Sequence, residues 1–233
     1  PFLDRFVDAA LDVLGTDLVS IILFGSAALG RLRATSDVNV LVVIRDWKPE
    51  RTDRLREPLR TAIARIRLAP LFIRSDELHD AALAFADRFS DILRRRRVLY
   101  GEDAVDGIVI PRAALIARER QSLLNNIVRL RQTYLVRSLR PEDAALAVAE
   151  MAGPLRGSAA TLLELSGRGV FEPKEALQVF VEGTRDASLT TVLDTMSAVR
   201  EERELPHGVA PAALASLETV AMRLRAAYGA LAT

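Results

Sequence analysis

The sequence has no cysteine, very little histidine and no long hydrophobic run. Among its 233 residues there are no cysteines and two histidines, His79 and His207. The chain therefore cannot form a disulfide bond, offer a thiolate nucleophile or bind zinc through cysteine. Two histidines also argue against a multi-histidine zinc site and against a histidine-based catalytic triad. Any catalysis by this chain has to rely on carboxylates.

The missing hydrophobic run argues against a membrane protein. No apolar stretch approaches the ~20 residues that cross a bilayer. Residues 1–15, PFLDRFVDAALDVLG, have the pattern of an amphipathic helix with three acids and not that of a signal peptide. We therefore expect no membrane partner and a cytoplasmic location.

What the sequence does contain is enough apolar material for a large core. Half of the residues are hydrophobic, and the formal net charge is +1. A chain of this length can form one large domain or two modest ones. The small net charge favours neither the presence nor the absence of a nucleic-acid partner.

Residues 1–110 alternate between helical and strand periodicity. Continuous apolar runs rich in β-branched residues predict buried strands of a covered sheet. Pro70 in the third such run indicates an edge strand or a bulge. The predicted elements are a helix at Asp4–Leu14, strands at Val19–Phe24 and Val38–Ile44, a helix at Pro58–Arg67, a strand at Leu68–Ile73, and a two-piece helix from Asp76 towards Val98.

Beyond Pro111 the pattern is purely helical. The apolar spacing predicts about five amphipathic helices, with a break or kink at Gly153-Pro154. These helices are Arg112–Leu139, Pro141–Leu165, Pro173–Glu182, Leu189–Arg203 and Ala212–Leu231. The predicted fold class is α+β: an α/β domain with a mixed sheet at 1–110, followed by an all-α helical bundle at 111–233. Because apolar helical faces often pair, a homodimer is one expectation.

The first predicted strand runs into a turn at Leu23-Phe24-Gly25-Ser26. A glycine at this point permits a tight bend and a close approach of phosphate. The serine is suited to cap a following helix, whose first N–H groups would bind the phosphates of a nucleotide. The turn lacks the glycine patterns of a P-loop and of a dinucleotide-binding turn. Taken alone, it is weak support for a nucleotide site.

After ten intervening residues, the second strand segment begins with Asp37-Val38-Asn39. Because alternate side chains of a strand share a face, Asp37 and Asn39 point to one side. Their oxygens are hard ligands of the kind that Mg²⁺ requires. The alternative interpretation is structural: Gly25 ends a strand, Ser26 caps a helix, and Asp37 accepts backbone hydrogen bonds. The joint occurrence of all three between two apolar strands favours a nucleotide site.

These residues resemble the frame of the nucleotidyltransferase superfamily, in particular its kanamycin nucleotidyltransferase-like and minimal nucleotidyltransferase-type two-domain members. The frame is an apolar strand, Gly-Ser, a spacer, and Asp-x-Asp or Asp-x-Glu on the next strand, present here as Gly25-Ser26 and Asp37-Val38-Asn39. The resemblance implies a nucleotidyltransferase-fold domain followed by a helical domain that could bind substrate. It also implies transfer of a nucleoside monophosphate from a nucleoside triphosphate to a hydroxyl acceptor, with Mg²⁺ or Mn²⁺.

The resemblance assigns roles to individual residues. The first group lies on the second strand segment and is expected to be catalytic and to ligate the metal. The second group lies on the turn and in the loop that follows it, and is expected to bind the nucleotide. The first group is Asp37 and Asn39, and the second is Gly25, Ser26, Arg31, Arg33 and Ser36.

The chain departs from the family frame at the remaining acids. Asn39 stands where the family has a second carboxylate, and an amide brings no negative charge to a metal. The segment 68–73 contains no acid, so Asp76 or Asp91 could replace the family's third carboxylate only if the fold brings one of them to Asp37. Glu119 is a candidate general base, and the simpler interpretation is an exposed acid paired with arginines.

Two functions are consistent with these residues. The first is an active nucleotidyltransferase weakened by Asn39. The alternative is a degenerate member of the fold that binds nucleotide or a protein partner without turnover. The sequence does not identify the hydroxyl acceptor. It favours a small molecule over a nucleic acid, because Tyr134 is the one aromatic residue available for base stacking on the arginine-rich helix 112–139. The arginine run 94–97 is interpreted as a solvated helix face, with a phosphate contact as its alternative.

Overall fold

The computed structural model describes residues 2–30, 37–202 and 204–232. These residues form two compact units that meet in sequence between Pro111 and Arg112. The first unit contains a four-stranded sheet with flanking helices, and the second is entirely helical in its regular elements. The predicted α+β fold class is confirmed.

The sheet of the first unit has the strand order β3-β2-β1-β4. Its strands are β1 (Leu18–Phe24), β2 (Val38–Ile44), β3 (Leu68–Arg74) and β4 (Arg96–Gly101). Strand β1 pairs antiparallel with both β2 and β4, whereas β2 and β3 run parallel. The sheet is therefore mixed, and Pro70 lies on an edge strand, as its missing N–H requires.

Helices cover both faces of this sheet. They are α1 (Phe2–Leu14), α2 (Pro49–Thr52), α3 (Arg56–Ile66), α4 (Leu78–Ala84) and α5 (Ala86–Arg94). One face packs with α1 and α3 through residues such as Phe6, Val40 and Ala62. The other face packs with α4 and α5 through residues such as Leu41 and Phe89. Because side chains alternate along a strand, β2 contributes Val38, Val40 and Val42 to the first face and Leu41 and Val43 to the second.

The sequence-based assignment is wrong at the end of the first unit. A helix was predicted to run towards Val98, but α5 ends at Arg94 and β4 begins at Arg96. Backbone pairing to β1, with Val98 opposite Ile22, replaces the helical hydrogen bonds. The arginine run is consequently a helix-to-strand junction and not a solvated helix face.

The described residues of the second unit form five helices around one core. They are α6 (Arg112–Arg137), α7 (Pro141–Leu165), α8 (Pro173–Gly183), α9 (Ala187–Glu202) and α10 (Ala210–Ala230). Helix α7 continues through Pro154, although a proline removes one helical hydrogen bond. Met151 and Leu155, on either side of it, are buried in the core and stabilise both halves of α7. No helix of the described ranges is long and apolar enough to cross a membrane.

Candidate active site

The candidate site lies at the end of the sheet where β1 ends and where β2 and β4 begin. Because both neighbours of β1 are antiparallel to it, their first residues lie beside its last one. Phe24 pairs with Asn39 on one side and with Arg96 on the other. The residues next to these pairs, Gly25 and Arg95, therefore lie at the same end of the sheet.

Gly25 makes the turn at the end of β1. Its φ of +75° is in the region that disfavours side chains, and its N–H donates to the Arg95 carbonyl at 2.9 Å. The next residues form a short 3₁₀ turn, Gly25–Ala27, in which Ser26 does not cap a helix. The α-helix predicted after Ser26 is thus absent from residues 25–30, where Gly30 also has a positive φ of +70°.

Asp37 lies just before β2 and is held by Arg67. The Nε atom of Arg67 donates to Asp37 Oδ1 at 2.8 Å, and both side chains are about half exposed. The Arg67 carbonyl also accepts from the Val38 N–H at 3.1 Å. Arg67 ends α3 with a φ of +52°, an uncommon value for a residue with a side chain. A strained residue thus fixes both the backbone and the carboxylate at the start of β2.

Asn39 and Asp91 both approach the Gly25 turn. A Cβ atom placed on Gly25 would lie 3.6 Å from Asp91 Oδ2 and 3.7 Å from Asn39 Nδ2. Asn39 reaches this point because it shares the face of β2 that α5 covers, the face of Leu41 and Val43. Within the ranges that the structure describes, the Asn39 amide has no hydrogen-bond partner. Its oxygen is therefore able to turn towards a ligand.

Arg95 orients the Asp91 carboxylate. Its guanidinium donates through Nε to Asp91 Oδ1 at 2.8 Å and also bonds the same oxygen through Nη2. The Arg95 backbone accepts the Gly25 N–H, so one residue fixes the turn and the acid together. Asp91 Oδ2, which faces Gly25, is left outside this ion pair.

Comparison with known proteins decides the family. A model of the nucleotidyltransferase domain matches residues 4–84. A candidate protein adenylyltransferase of Methanocaldococcus jannaschii is 32% identical over 106 residues, which cover 43% of this chain and 71% of that protein. The chain belongs to the nucleotidyltransferase superfamily. Nucleotidyl transfer is therefore the general class of reaction that its relatives support.

The fold of the whole chain also has a solved counterpart. The spectinomycin adenyltransferase AAD(9) of Enterococcus faecialis, in a structure with ATP and spectinomycin, superposes with a TM-score of 0.68. The match covers 96% of this chain and 98% of that chain, at 12% sequence identity. The similarity is thus one of fold, and it extends over both units.

One of the acids named from the sequence, Asp76, lies away from the Gly25 turn. Asp76 follows the end of β3, where Arg74 pairs with Ile44 at the other end of β2. It forms an ion pair with Arg74 there, and the Arg74 guanidinium has a raised pKa because of its hydrogen bond to this carboxylate. Glu119 lies in the second unit, where it is buried and accepts from Ser158 Oγ at 2.5 Å. The exposed position expected for Glu119 is wrong.

Three predicted nucleotide-binding residues, Arg31, Arg33 and Ser36, lie outside the described residues. Sequence reasoning also missed Arg67 and Arg95, the two cations that hold the acids of the site. Both follow helices whose ends are not marked by glycine or proline, and no other signal in the sequence separates them from the many exposed arginines. Within the described part of the chain, no group of three or more His, Cys, Asp or Glu side chains is arranged to hold a metal ion.

Proposed function

We propose that this protein transfers a nucleoside monophosphate from a nucleoside triphosphate, ATP in the first instance, to a hydroxyl group of a small molecule. In this reaction the acceptor oxygen forms a bond to the α-phosphorus, and the bond from that phosphorus to the bridging oxygen breaks. Pyrophosphate leaves, and the hydroxyl proton passes to a base. ATP is the first choice because the relatives are named as adenylyltransferases.

One observation carries the proposal: side-chain atoms of Asn39 and Asp91 both lie within 4 Å of the position that a Cβ atom on Gly25 would take. Helix α5 thus supplies a carboxylate to the site, whereas the β3 segment supplies none. This carboxylate supplies one negative charge, which offsets the one that Asn39 removes from the family frame. We assign Asp91 as the second acid of the site, together with Asp37.

The donor set fits a Mg²⁺ or Mn²⁺ ion. Asp37, Asn39 and Asp91 all offer oxygen ligands, which are the ligands that these hard cations prefer. When bound, the ion would neutralise phosphate charge and stabilise the oxygens that develop charge in the displacement. Asp91 Oδ2 is the oxygen available for this role or for accepting the acceptor's proton, because Arg95 occupies Oδ1.

The arginines of the site suit the phosphates. A guanidinium presents several N–H donors in a geometry that matches phosphate oxygens. Arg67 holds Asp37, and an ion that draws Asp37 away would free this guanidinium for a phosphate. Arg95 has further N–H groups beyond those that contact Asp91.

A small-molecule acceptor is supported by the extent of the fold similarity. The match to the spectinomycin adenyltransferase spans both units, and that protein's structure contains a small-molecule ligand beside ATP. In this proposal the helical unit is the substrate-binding domain.

The second candidate function is nucleotide binding without turnover, and Asn39 is the observation that favours it. Replacement of a carboxylate by an amide removes a full charge from the metal site. A protein with this site could retain affinity for a nucleotide while losing the chemistry.

The experiment combines α-labelled ATP and Mg²⁺ with low-molecular-mass and protein fractions of a cell extract. We expect labelled products from the low-molecular-mass fraction. Asp37→Ala and Asp91→Asn should each lower the rate by about 10²-fold or more, since each removes a charged group from the reacting centre. Asp76→Asn is the matched control, because this acid lies at the other end of the sheet.

The outcomes separate the candidates. Label in the protein fraction alone would replace the small-molecule acceptor with a protein. Nucleotide binding by calorimetry without any transfer, together with activity gained in Asn39→Asp, would establish the degenerate binder. Transfer that Asp91→Asn leaves unchanged would contradict the role of Asp91, and absence of both binding and transfer would overturn the proposal as a whole.

A further inference from the structure

Arg67 contacts Asp37 through a single nitrogen. Its Nε atom donates to Asp37 Oδ1 at 2.8 Å, and neither of its Nη groups has a hydrogen-bond partner among the residues that the structure describes. Arg95 differs, because both its Nε and its Nη2 bond one oxygen of Asp91. A guanidinium has several N–H donors, so Arg67 is the arginine of the site with most of its donors left for another acceptor.

The backbone of Arg67 is held on both sides, whereas its side chain is only weakly held. The Arg67 N–H donates to the Ile63 carbonyl at 3.0 Å, and the Arg67 carbonyl accepts the Val38 N–H at 3.1 Å. The side chains of Arg67 and Asp37 are 52% and 53% exposed. Water screens such a pair, and both side chains lose freedom in it. The guanidinium can therefore leave the carboxylate while the backbone that connects α3 to β3 stays in place.

Arg67 and a divalent cation would compete for the same carboxylate. Asp37 is the acid that the family frame assigns to the metal, and Arg67 already binds one of its oxygens. A cation that approaches Asp37 meets the positive charge of the guanidinium at short range, where like charges repel. Asn39 does not offset this repulsion, because an amide brings no negative charge. A free metal ion should consequently bind weakly at this position.

A nucleotide would change this balance. Its phosphate oxygens are negatively charged, and a guanidinium binds them through paired N–H groups. Asp37 lies two residues before Asn39, a separation of about 7 Å along an extended chain. The long side chain of Arg67 can therefore turn from Asp37 towards a polyphosphate bound at the Gly25 turn. Both oxygens of Asp37 would then be available to a metal ion.

We infer that Arg67 makes the site selective for a metal–nucleotide complex over the free metal ion. The guanidinium blocks Asp37, and a phosphate of the nucleotide replaces Asp37 as the partner of Arg67. The inference rests on the proposed nucleotide site and adds that the nucleotide and the metal each strengthen the binding of the other. This coupling is reciprocal, since the two binding equilibria belong to one thermodynamic cycle.

Binding measurements on the intact protein provide the test, and none of them requires turnover. Free Mn²⁺ loses its electron paramagnetic resonance signal on binding and so reports the affinity for metal alone. Calorimetry with α,β-methylene-ATP in the presence of EDTA reports the affinity for metal-free nucleotide, and this analogue cannot release pyrophosphate. Arg67→Gln should bind Mn²⁺ about tenfold more tightly and the analogue about tenfold more weakly than the parent protein. A variant that only folds poorly would lose both affinities.

Two control variants separate this contact from a general effect of charge. Arg74→Gln removes an arginine at the other end of β3, where it is also about half exposed and paired with an acid, Asp76. It should leave both affinities unchanged. Arg67→Lys keeps the charge and loses the guanidinium geometry, so it should still weaken the binding of the analogue.

A cycle of double variants tests the competition for Asp37 directly. In the Asp37→Asn background, Arg67→Gln should no longer raise the affinity for Mn²⁺, because the carboxylate for which both cations compete is gone.

The inference is overturned if Arg67→Gln fails to raise the Mn²⁺ affinity, or if it leaves the affinity for the analogue unchanged. It is equally overturned if Arg67→Gln raises the Mn²⁺ affinity as much in the Asp37→Asn background as in the parent. In each of these cases nucleotide transfer by the parent protein would leave the proposed function standing. Absence of any binding of α,β-methylene-ATP to the parent, with or without Mn²⁺, would overturn both.

Discussion

Arginines fix the orientation of carboxylates at several positions of this protein. Asp91 is held by Arg95 beside the Gly25 turn, and Asp186 is held by Arg223 in the helical unit at 2.7 Å. Such partly exposed pairs add little to stability, because water screens them and both side chains lose freedom. Each arginine binds one oxygen of its carboxylate and thereby fixes the position of the other oxygen. For Asp91 that oxygen faces the proposed nucleotide site.

Asp186 gives a prediction about pH at the level of a single residue. Its Oδ1 accepts the N–H and the hydroxyl of Ser188 at the start of α9, at 3.2 and 2.6 Å. These hydrogen bonds, and then the charge of Arg223, lower the pKa of the Asp186 carboxyl. A lowered pKa in the folded state stabilises the fold above the ordinary aspartate pKa of about 3.9, and this stabilisation is lost as pH falls through the lowered value.

We therefore expect Asp186→Asn to lower the urea midpoint at neutral pH and to differ less from the parent protein as pH falls below about 4. Urea unfolding followed by circular dichroism across this range provides the measurement. Asp194→Asn is the control, because Asp194 is exposed on α9 and has no ion pair with any residue that the structure describes. A difference between parent and Asp186→Asn that stays constant down to the lowest pH would contradict the assignment.

At the scale of elements, β4 completes the candidate site. Its pairing to β1 places Arg96 opposite Phe24 and leaves the Arg95 carbonyl facing the Gly25 N–H. The strand ends at Gly101, which pairs with Ser20 and has a φ of +75°. A Cβ atom at this glycine would lie 2.0 Å from the Val19 carbonyl oxygen. No side chain can therefore be accommodated unless the two strands separate.

Gly101→Ala should destabilise the protein by about 3 kcal/mol or more, since it combines a backbone clash with an unfavourable φ. Gly107→Ala is the matched control: its φ is +76°, and a Cβ atom there would meet nothing within 4 Å. That variant should cost only about 1 kcal/mol, the strain of the backbone alone. Chemical denaturation of the three proteins measures both effects. Equal losses would show that the clash is relieved without separating β1 from β4.

The elements also show which parts of the fold the sequence could predict. Strands β1 and β2 were evident because their residues are nearly all buried and β-branched or aliphatic. Strand β4 was missed because it is an edge strand without a fully buried residue and begins within an arginine run. Gly25, Asp37 and Asn39 follow a motif of fixed spacing, whereas the position of Asp91 depends on which face of the sheet α5 covers. Only the three-dimensional structure contains that information.

At the scale of the whole molecule, each unit has its own hydrophobic core. The core of the helical unit draws its buried residues from Ile116 to Tyr228. The two cores on either side of the sheet draw theirs from Phe6 to Val105. No core cluster of described residues crosses the boundary between Pro111 and Arg112. Most of the stability of each unit should consequently be contained within it, because burial of apolar surface is the dominant favourable term in folding.

This separation predicts that residues 112–233 fold when they are produced alone. We expect a helical circular dichroism spectrum and a cooperative urea transition for this fragment. Leu217→Ala, at a fully buried position of α10, should lower its stability by about 2–5 kcal/mol and should lower that of the helical unit in the full chain by the same amount. Met222→Ala, at a half-exposed position of the same helix, should cost much less in both proteins. A fragment without a cooperative transition, or a Leu217→Ala loss that differs strongly between fragment and full chain, would mean that the first unit contributes directly to the stability of the second.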